Sequence, residues 1–189
     1  MKILVFAGSA RRESFNKRLI AIAAKELRQL GAEVTEFDFG EHPMPLYDGD
    51  LEAQSGLPDN AQRFKNALIA HDGFVIASPE YNSAYSPLLK NAIDWASRAT
   101  DADEASLLAY RGKTAALLAT SPGGLGGLRA LVPLRMLLAN IGVNVLPRQL
   151  AIPTAHEVFA DAESFAQSQY QQELNALCAD FCEFTRRLL

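Results

Sequence analysis

The chain is poor in cysteine and histidine, the residues that most often form disulfides and metal sites. Its two cysteines, Cys178 and Cys182, stand close together in a helical pattern, where a disulfide has poor geometry. We therefore expect a reducing, cytoplasmic location. The histidines show no ligand spacing, and two cysteines fall short of the full ligand set of a structural zinc site, so we predict no metal.

Long hydrophobic runs and an excess of positive charge are also missing. No apolar run approaches the roughly 18 residues of a membrane span, and the apolar stretch at residues 2–7 is too short for a signal-peptide core. The net charge of −4 and the pI of about 5.4 argue against nucleic acid as the main partner. With 189 residues, 49% of them hydrophobic, the chain can bury a full core in one domain.

Short apolar runs alternate with longer stretches in which apolar residues recur at helical spacing. The alternation predicts a parallel sheet covered by helices on both faces, an α/β fold in a single domain over residues 1–189. Pro147 favours an edge position or a bulge for the last strand. The predicted strands are 2–7, 32–39, 73–78, 113–120 and 143–152, and the predicted helices are 16–31, 59–72, 87–99, 128–142 and about 162–188.

Two stretches, 40–58 and 100–112, show neither a helical nor a strand period. Irregular stretches of this length in a compact domain are usually functional or form interfaces. Within the first, residues 43–47 read PMPLY and would present apolar groups at a surface.

Polar and glycine-rich segments follow the first, third and fourth predicted strands. They read GSARRESFN (8–16), SPEYNSAYS (78–86) and TSPGGLGGL (120–128). In an open parallel sheet, ligands bind at the carboxyl ends of the strands, so we expect these three segments to form one site.

The first segment has the composition of a phosphate-binding helix start. Hydroxyl, amide and guanidinium groups of Ser9, Arg11, Ser14 and Asn16 surround a helix N-terminus, whose free N–H groups and dipole favour an anion. Ordinary capping by Ser14, with the arginines in solvent, is the alternative. The segment matches neither G-x-x-x-x-G-K-[ST] nor G-x-G-x-x-G, which favours a single phosphate monoester over a pyrophosphate.

The third segment is rich in glycine. A backbone without side chains lets a planar ring approach closely and offers N–H donors to it, although a flexible turn is the alternative. Ser121 does not lie in a G-x-S-x-G pattern and no histidine is near it in the sequence, so serine hydrolase chemistry is poorly supported.

The segments GSARRESFN, SPEYN, LKNAIDW and SPGGLGG, in this order, resemble the NADPH-dependent FMN reductases. This family includes quinone, chromate and azo-dye reductases of the flavodoxin-like superfamily. The resemblance covers about residues 2–150, and its specificity comes from the combination of motifs. It implies a flavodoxin-like, doubly wound, five-stranded sheet in the order 2-1-3-4-5.

The resemblance also implies which residues contact the cofactor. The first segment would hold the FMN phosphate, the second would lie along the isoalloxazine ring, and the third would close its pyrimidine side. The residues are, in that order, Ser9, Arg11, Ser14, Phe15, Asn16 and Lys17; Pro79, Glu80, Tyr81, Asn82 and Ser83; and Ser121, Pro122, Gly123 and Gly124.

The implied activity is that of an FMN-dependent NAD(P)H oxidoreductase. NADPH or NADH would deliver a hydride to flavin N5, and the flavin would then reduce a quinone, free flavin, azo compound or metal oxyanion by ping-pong turnover. No side chain need be catalytic, and Glu80 is expected to be structural or to present its backbone. The expected partners are small-molecule electron acceptors, with neither nucleic acid nor a membrane.

The family usually forms oligomers, so a homodimer or homotetramer is expected here, with the apolar loop within 40–58 and the helix 87–99 as the candidate contacts. A flavodoxin-type electron carrier without its own NAD(P)H turnover is the main alternative, and a flavin-binding sensor is a further one. Flavodoxins are usually strongly acidic and shield the flavin between aromatic residues. The mild charge and the glycine-rich third segment favour the enzyme.

Overall fold

The computed structural model describes residues 1–189 and contains a five-stranded parallel sheet in the order β2-β1-β3-β6-β7. Counted among the strands of this sheet, the order is 2-1-3-4-5, which confirms the prediction. A separate two-stranded hairpin, β4-β5, follows β3. The strands are β1 (Lys2–Ala7), β2 (Glu33–Phe37), β3 (Gly73–Ala77), β4 (Glu80–Tyr81), β5 (Ala84–Tyr85), β6 (Thr114–Thr120) and β7 (Asn144–Ile152).

Helices cover both faces of the sheet and divide the interior into two cores. Alternate residues of β1 enter different cores: Ile3, Val5 and Ala7 pack with α1 and α7, whereas Leu4 and Phe6 pack with α3, α4 and α5. Burial on both faces explains why the central strands are continuous apolar runs. No helix is both long and apolar enough to cross a membrane. The helices are α1 (Phe15–Gln29), α2 (Gly49–Ser55), α3 (Asp59–Ala70), α4 (Pro87–Ala96), α5 (Leu128–Asn140), α6 (Ala155–Val158) and α7 (Ser168–Arg186).

Two predicted stretches need correction. The stretch 40–58 is not wholly irregular, because α2 lies within it, capped by the Asp48 carboxylate, which accepts a hydrogen bond from the Asp50 N–H at 2.8 Å. This helix buries none of its residues and therefore carries no apolar period. The last helix begins at Ser168 rather than near 162, since Phe165 pairs with Phe159 in an isolated bridge ahead of it.

The two stretches without a sequence period, 40–58 and 100–112, are tied to helices by polar contacts. The Asn91 side chain of α4 accepts from the Tyr47 N–H (2.7 Å) and donates to the Pro45 carbonyl (2.8 Å), while the buried Trp95 donates to the same carbonyl (2.8 Å). Because both sides of residue 46 are held in this way, Leu46 projects outward with 79% of its surface exposed.

The Lys65 ammonium anchors the stretch 100–112. Its side chain is 1% exposed, and it donates to the Glu104 carboxylate at 2.6 Å and to the Arg98 carbonyl at 2.6 Å. Partial burial alone would raise the pKa of Glu104, but hydrogen bonds from Lys65 and Thr100 outweigh it and hold the pKa below its usual range. The stretch is therefore ordered without regular secondary structure.

Pro147 lies in β7, which is an edge strand, and the pairing of β7 with β6 shifts register between Ala115 and Leu117. Both predicted alternatives, an edge position and a bulge, are therefore confirmed for this strand. A proline without an N–H group is tolerated here because it interrupts the ladder where the ladder is already irregular.

Gly126 and Gly127 allow the loop after β6 to pass close to the sheet. Gly126 has φ +60°, and a Cβ built on it would lie 2.5 Å from the carbonyl carbon of Ile152. Gly127 has φ +86°, and its Cβ would lie 2.8 Å from that of Ala119. Gly124, in contrast, has no atom within 4 Å of such a Cβ. In this loop, Gly126 and Gly127 are needed for close packing against the sheet, whereas Gly124 lies in open space.

We expect Gly126→Ala to lower the free energy of unfolding by about 2 kcal/mol or more, because it adds a positive-φ penalty to an overlap with backbone. Chemical denaturation followed by circular dichroism measures the change. Gly124→Ala is the matched control and should stay within about 0.5 kcal/mol of the wild type. Equal effects of the two substitutions would contradict the packing role of Gly126.

Candidate functional site

The three segments predicted to meet do so at the carboxyl edge of the sheet. They border a cleft of about 210 Å³. The first loop (8–14) follows β1, the second (78–86) follows β3, and the third (121–127) follows β6. The lining residues are Ser9, Arg11, Ser14, Phe15, Asn16, Pro79, Glu80, Tyr81, Thr120, Ser121 and Pro122.

Ser14 occupies the N-cap position of α1 but makes no capping hydrogen bond with its side chain. The residue is 5% exposed and lines the cleft. Ordinary capping therefore does not account for Ser14. The hydroxyl and the first N–H groups of α1 are available to a ligand, and the helix dipole adds to their preference for an anion.

Arg11 brings a positive charge to the same end of the cleft. Its guanidinium donates to the Glu13 carbonyl at 2.7 Å, which fixes its direction without neutralising it. The neighbouring Arg18 is paired with the Glu13 carboxylate at 3.0 Å. Of these two arginines, Arg11 lines the cleft. A guanidinium beside a helix N-terminus is a typical environment for a phosphate group.

Asn16, the second residue of α1, joins the start of this helix to the end of β6. Its side-chain amide donates to the Thr120 carbonyl at 3.0 Å and accepts from the Thr120 N–H at 3.1 Å. The Thr120 hydroxyl in turn donates to the Ile152 carbonyl at 2.9 Å. With both of its polar atoms engaged, Asn16 sets the spacing of two walls of the cleft. Thr120 was not predicted, because as a strand residue it gives no signal in the sequence.

The second loop is a hairpin with a sharp two-residue turn. Asn82 and Ser83 both have positive φ, 51° and 68°, which is typical of the tight turn that suits the twist of paired strands. Glu80 precedes the turn, and its side chain is 9% exposed. Its carboxylate accepts from Arg129 of α5 at 2.7 and 2.6 Å. This partner was also missed, since nothing in the pattern of α5 marks Arg129.

Ser86 ties the second loop to the first. Its hydroxyl donates to the Gly8 carbonyl at 2.6 Å and accepts from the Leu89 N–H at 3.1 Å, so it caps α4 at the same time. A Cβ on Gly8 would lie 3.1 Å from this hydroxyl, so a side chain directly after β1 would crowd the bond. The cleft is thus bounded by loops that are hydrogen-bonded to one another.

Five of the predicted cofactor residues do not line the cleft. The Lys17 ammonium is bound by the Asp38 carboxylate at 2.7 Å and faces a different cavity. Asn82 and Ser83 form the exposed tip of the hairpin. Gly123 and Gly124 lie farther along the third loop, exposed, next to the lining residues Ser121 and Pro122.

Known proteins are similar to this chain in both sequence and fold. The family model described as NADPH-dependent FMN reductase matches residues 1–157. A 2-hydroxy-1,4-benzoquinone reductase from Burkholderia sp. is 37% identical over 158 residues, covering 83% of this chain and 80% of that protein. An NAD(P)H-dependent FMN reductase from Pseudomonas aeruginosa is 34% identical over 183 residues, covering 94% and 93%.

A solved structure, the flavoenzyme NAD(P)H:(acceptor) oxidoreductase FerB from Paracoccus denitrificans, superposes with a TM-score of 0.81 at 27% identity, covering 98% of this chain and 97% of that one. The family model and the curated relatives extend over most of this chain, including all three loops of the cleft. The chain therefore belongs to the NADPH-dependent FMN reductase family, oxidoreductases that use FMN with NAD(P)H as co-substrate.

Proposed function

We propose that this enzyme holds the FMN phosphate at the start of α1 and reduces quinones at the expense of NADPH or NADH. The observation that carries the proposal is Ser14, a largely buried residue whose hydroxyl lacks a capping partner and which lines the cleft together with Arg11. The similarity to a protein named 2-hydroxy-1,4-benzoquinone reductase supports a quinone as acceptor.

The residues of the cleft fit the parts of FMN. Donors of the first loop suit a phosphate, which a helix N-terminus and a guanidinium bind together. The ring requires an open approach. The third loop borders the cleft through Ser121 and Pro122 and continues into bare backbone, with open space around Gly124. Tyr81 lies at the rim with 56% of its surface exposed, so a second ligand can enter from that side.

FMN, when bound, supplies the redox chemistry between NAD(P)H and the acceptor. The contribution of the chain is to bind FMN, to orient its ring and to leave the ring accessible to a second ligand. Donors of the first loop hold the phosphate, and the hairpin, fixed by the Glu80–Arg129 pair, sets one border of the ring site. NAD(P)H and the acceptor would both have to reach the ring from the open rim, which is the basis for expecting ping-pong turnover. Steady NAD(P)H oxidation with benzoquinone is the direct test.

The compartment expected from the sequence is compatible with the state of the cysteines. Cys178 and Cys182 are both free and buried. Burial raises the pKa of both thiols, so neither is a reactive thiolate at neutral pH. We propose that the enzyme works in the cytoplasm and that its cysteines have a packing role.

We also propose that the protein assembles as a homodimer or homotetramer. Two exposed apolar surfaces support this. One is Leu46, held outward beside a cavity of about 320 Å³ that is lined mostly by apolar residues. The other, named here the α5 stripe, consists of Leu128, Val132 and Met136, which are 42%, 63% and 62% exposed and lie on one side of the helix. Apolar surface of this kind often marks a protein interface.

Replacing both Arg11 and Ser14 by alanine should weaken FMN binding to the apoprotein by about 100-fold, because it removes two phosphate contacts, one of them charged. Titration of FMN fluorescence measures the affinity. Arg12→Ala is the control, an adjacent arginine outside the cleft lining, and should change the affinity by no more than about threefold. An unchanged affinity in the double variant would show that the phosphate binds elsewhere.

Glu80→Gln separates a positioning role from proton transfer. The amide still accepts a hydrogen bond from Arg129 but loses the charge, so we expect a modest fall of about three- to tenfold in turnover with benzoquinone. A general acid would lose about 10²- to 10⁴-fold. Steady-state kinetics over a range of pH measure the difference. A loss of that larger size, with a pH optimum that moves, would assign the proton to Glu80.

Two charges placed in the α5 stripe should disrupt assembly if the stripe is an interface. We expect Val132→Glu combined with Met136→Glu to lower the mass measured by light scattering, because paired stripes would bury the new carboxylates. Leu189→Glu, at the 74% exposed last residue, is the control. A wild-type protein that is monomeric with FMN bound would refute the oligomer altogether.

A further inference from the structure

An aromatic stack connects the cofactor cleft to the C-terminal part of the chain. The ring of Phe15, which lines the cleft, lies 6.0 Å from that of Phe159 with 9° between their planes. Phe159 in turn stacks on Phe165 at 5.4 Å and 29°, and Phe165 contacts Tyr170 at 6.2 Å. The family model ends at residue 157, so three of the four rings belong to a part of the chain outside the match.

The turn that carries Phe159 is held by its own backbone. Phe159 and Phe165 form an antiparallel bridge, the Ala160 N–H donates to the Ser164 carbonyl at 3.0 Å, and the Ala166 N–H donates to the Val158 carbonyl at 2.8 Å. This turn, residues 158–166, is therefore a defined hairpin and not a trailing loop. It presents Phe159 to α1 in a fixed position.

The residues just ahead of this hairpin hold the third loop of the cleft. The Ala155 N–H donates to the Ser121 carbonyl at 3.0 Å, and the Thr154 N–H donates to the Gly123 carbonyl at 3.4 Å. Residues 154–159 thus contact two borders of the cleft within a few positions of each other. The start of α1 is contacted through the stack, and the third loop through the backbone.

Phe15 also contacts a cation. The guanidinium carbon of Arg18 lies 5.6 Å from the centre of the Phe15 ring, and Arg18 is in turn paired with Glu13 of the first loop. The ring is therefore contacted by Phe159 and by a cation held within its own segment. Phe15 directly follows Ser14 in the chain, so restraint on its side chain restrains the backbone that carries the Ser14 hydroxyl.

We propose that Phe159 is a positioning residue for the phosphate end of the cleft, acting through Phe15. The inference rests on the proposed FMN function. By packing on Phe15 in the free protein, Phe159 orders the start of α1 before a ligand arrives. Less conformational entropy is therefore lost when the ligand binds. The benefit falls on the phosphate contacts of the first loop. A flavin without a phosphate group gains little from it.

The test compares FMN with riboflavin, which lacks the phosphate. Phe159→Ala should weaken FMN binding to the apoprotein by about 3- to 10-fold, the value of a lost aromatic pair, and change riboflavin binding by less than about twofold. The ratio of FMN affinity to riboflavin affinity should therefore fall. Phe159→Tyr keeps the stacked ring and should restore the ratio. Phe184→Ala, near the C-terminal end of α7, is the control for a lost aromatic side chain.

Equal weakening of both flavins, or an unchanged FMN affinity, would overturn the proposal. Phe159→Leu keeps apolar packing without a planar ring, and the same fall in ratio is expected from it if Phe159→Ala does not fold. A wild-type protein that binds neither flavin would refute the FMN function itself. Wild-type binding of both flavins with equal affinity would refute the phosphate role of the first loop, and the positioning role with it.

Discussion

The alignment of the ends of β1, β3 and β6 determines where the rest of the molecule can act. Ala7 pairs with Ala77, and Ala77 with Leu118, so the first and second loops leave neighbouring strands at the same level, and the third follows two residues later. Hydrogen bonds continue past the strand ends, from the Gly8 N–H to the Ala77 carbonyl (2.8 Å) and from the Ser78 N–H to the Leu118 carbonyl (2.9 Å). A cleft is the geometric result, since loops that diverge from aligned strands leave a gap between them.

Polar residues of these loops divide into those that hold the cleft together and those that remain available to a ligand. Asn16 joins the start of α1 to the end of β6, Ser86 bridges the second loop to the first, and Glu80 bonds to α5. Ser14 and Arg11 keep groups directed at the cleft. The segment SPEYNSAYS divides in the same way. Glu80 and Ser86 hold it in place through bonds to Arg129 and Gly8, and the turn at Asn82 and Ser83 gives its main chain a fixed shape.

The parallel sheet, its strand order and the three loops were predictable, because strands buried on both faces leave continuous apolar runs and the loop motifs are specific. The short helix α2 was not predictable, since it buries no residue and its cap is a single aspartate. Thr120 and Arg129 were missed for a related reason. Each acts through one contact between segments distant in the chain, Asn16 with Thr120 and Glu80 with Arg129, and such a contact leaves no local pattern. Lys17 had the charge of a phosphate ligand, but Asp38 lies close enough to engage it.

A reductase whose cofactor supplies the chemistry can vary in two properties, how firmly the cofactor is held and what can reach it. The first depends on preorganisation, because a donor that is already fixed binds at a lower cost in entropy than one that must be ordered. The chain outside the family match contributes to this property, since Phe159 packs on Phe15 at the phosphate end. The second depends on the rim near Tyr81, which is exposed in the single chain. Retention and access are thus controlled by different elements, so substitutions in one need not disturb the other.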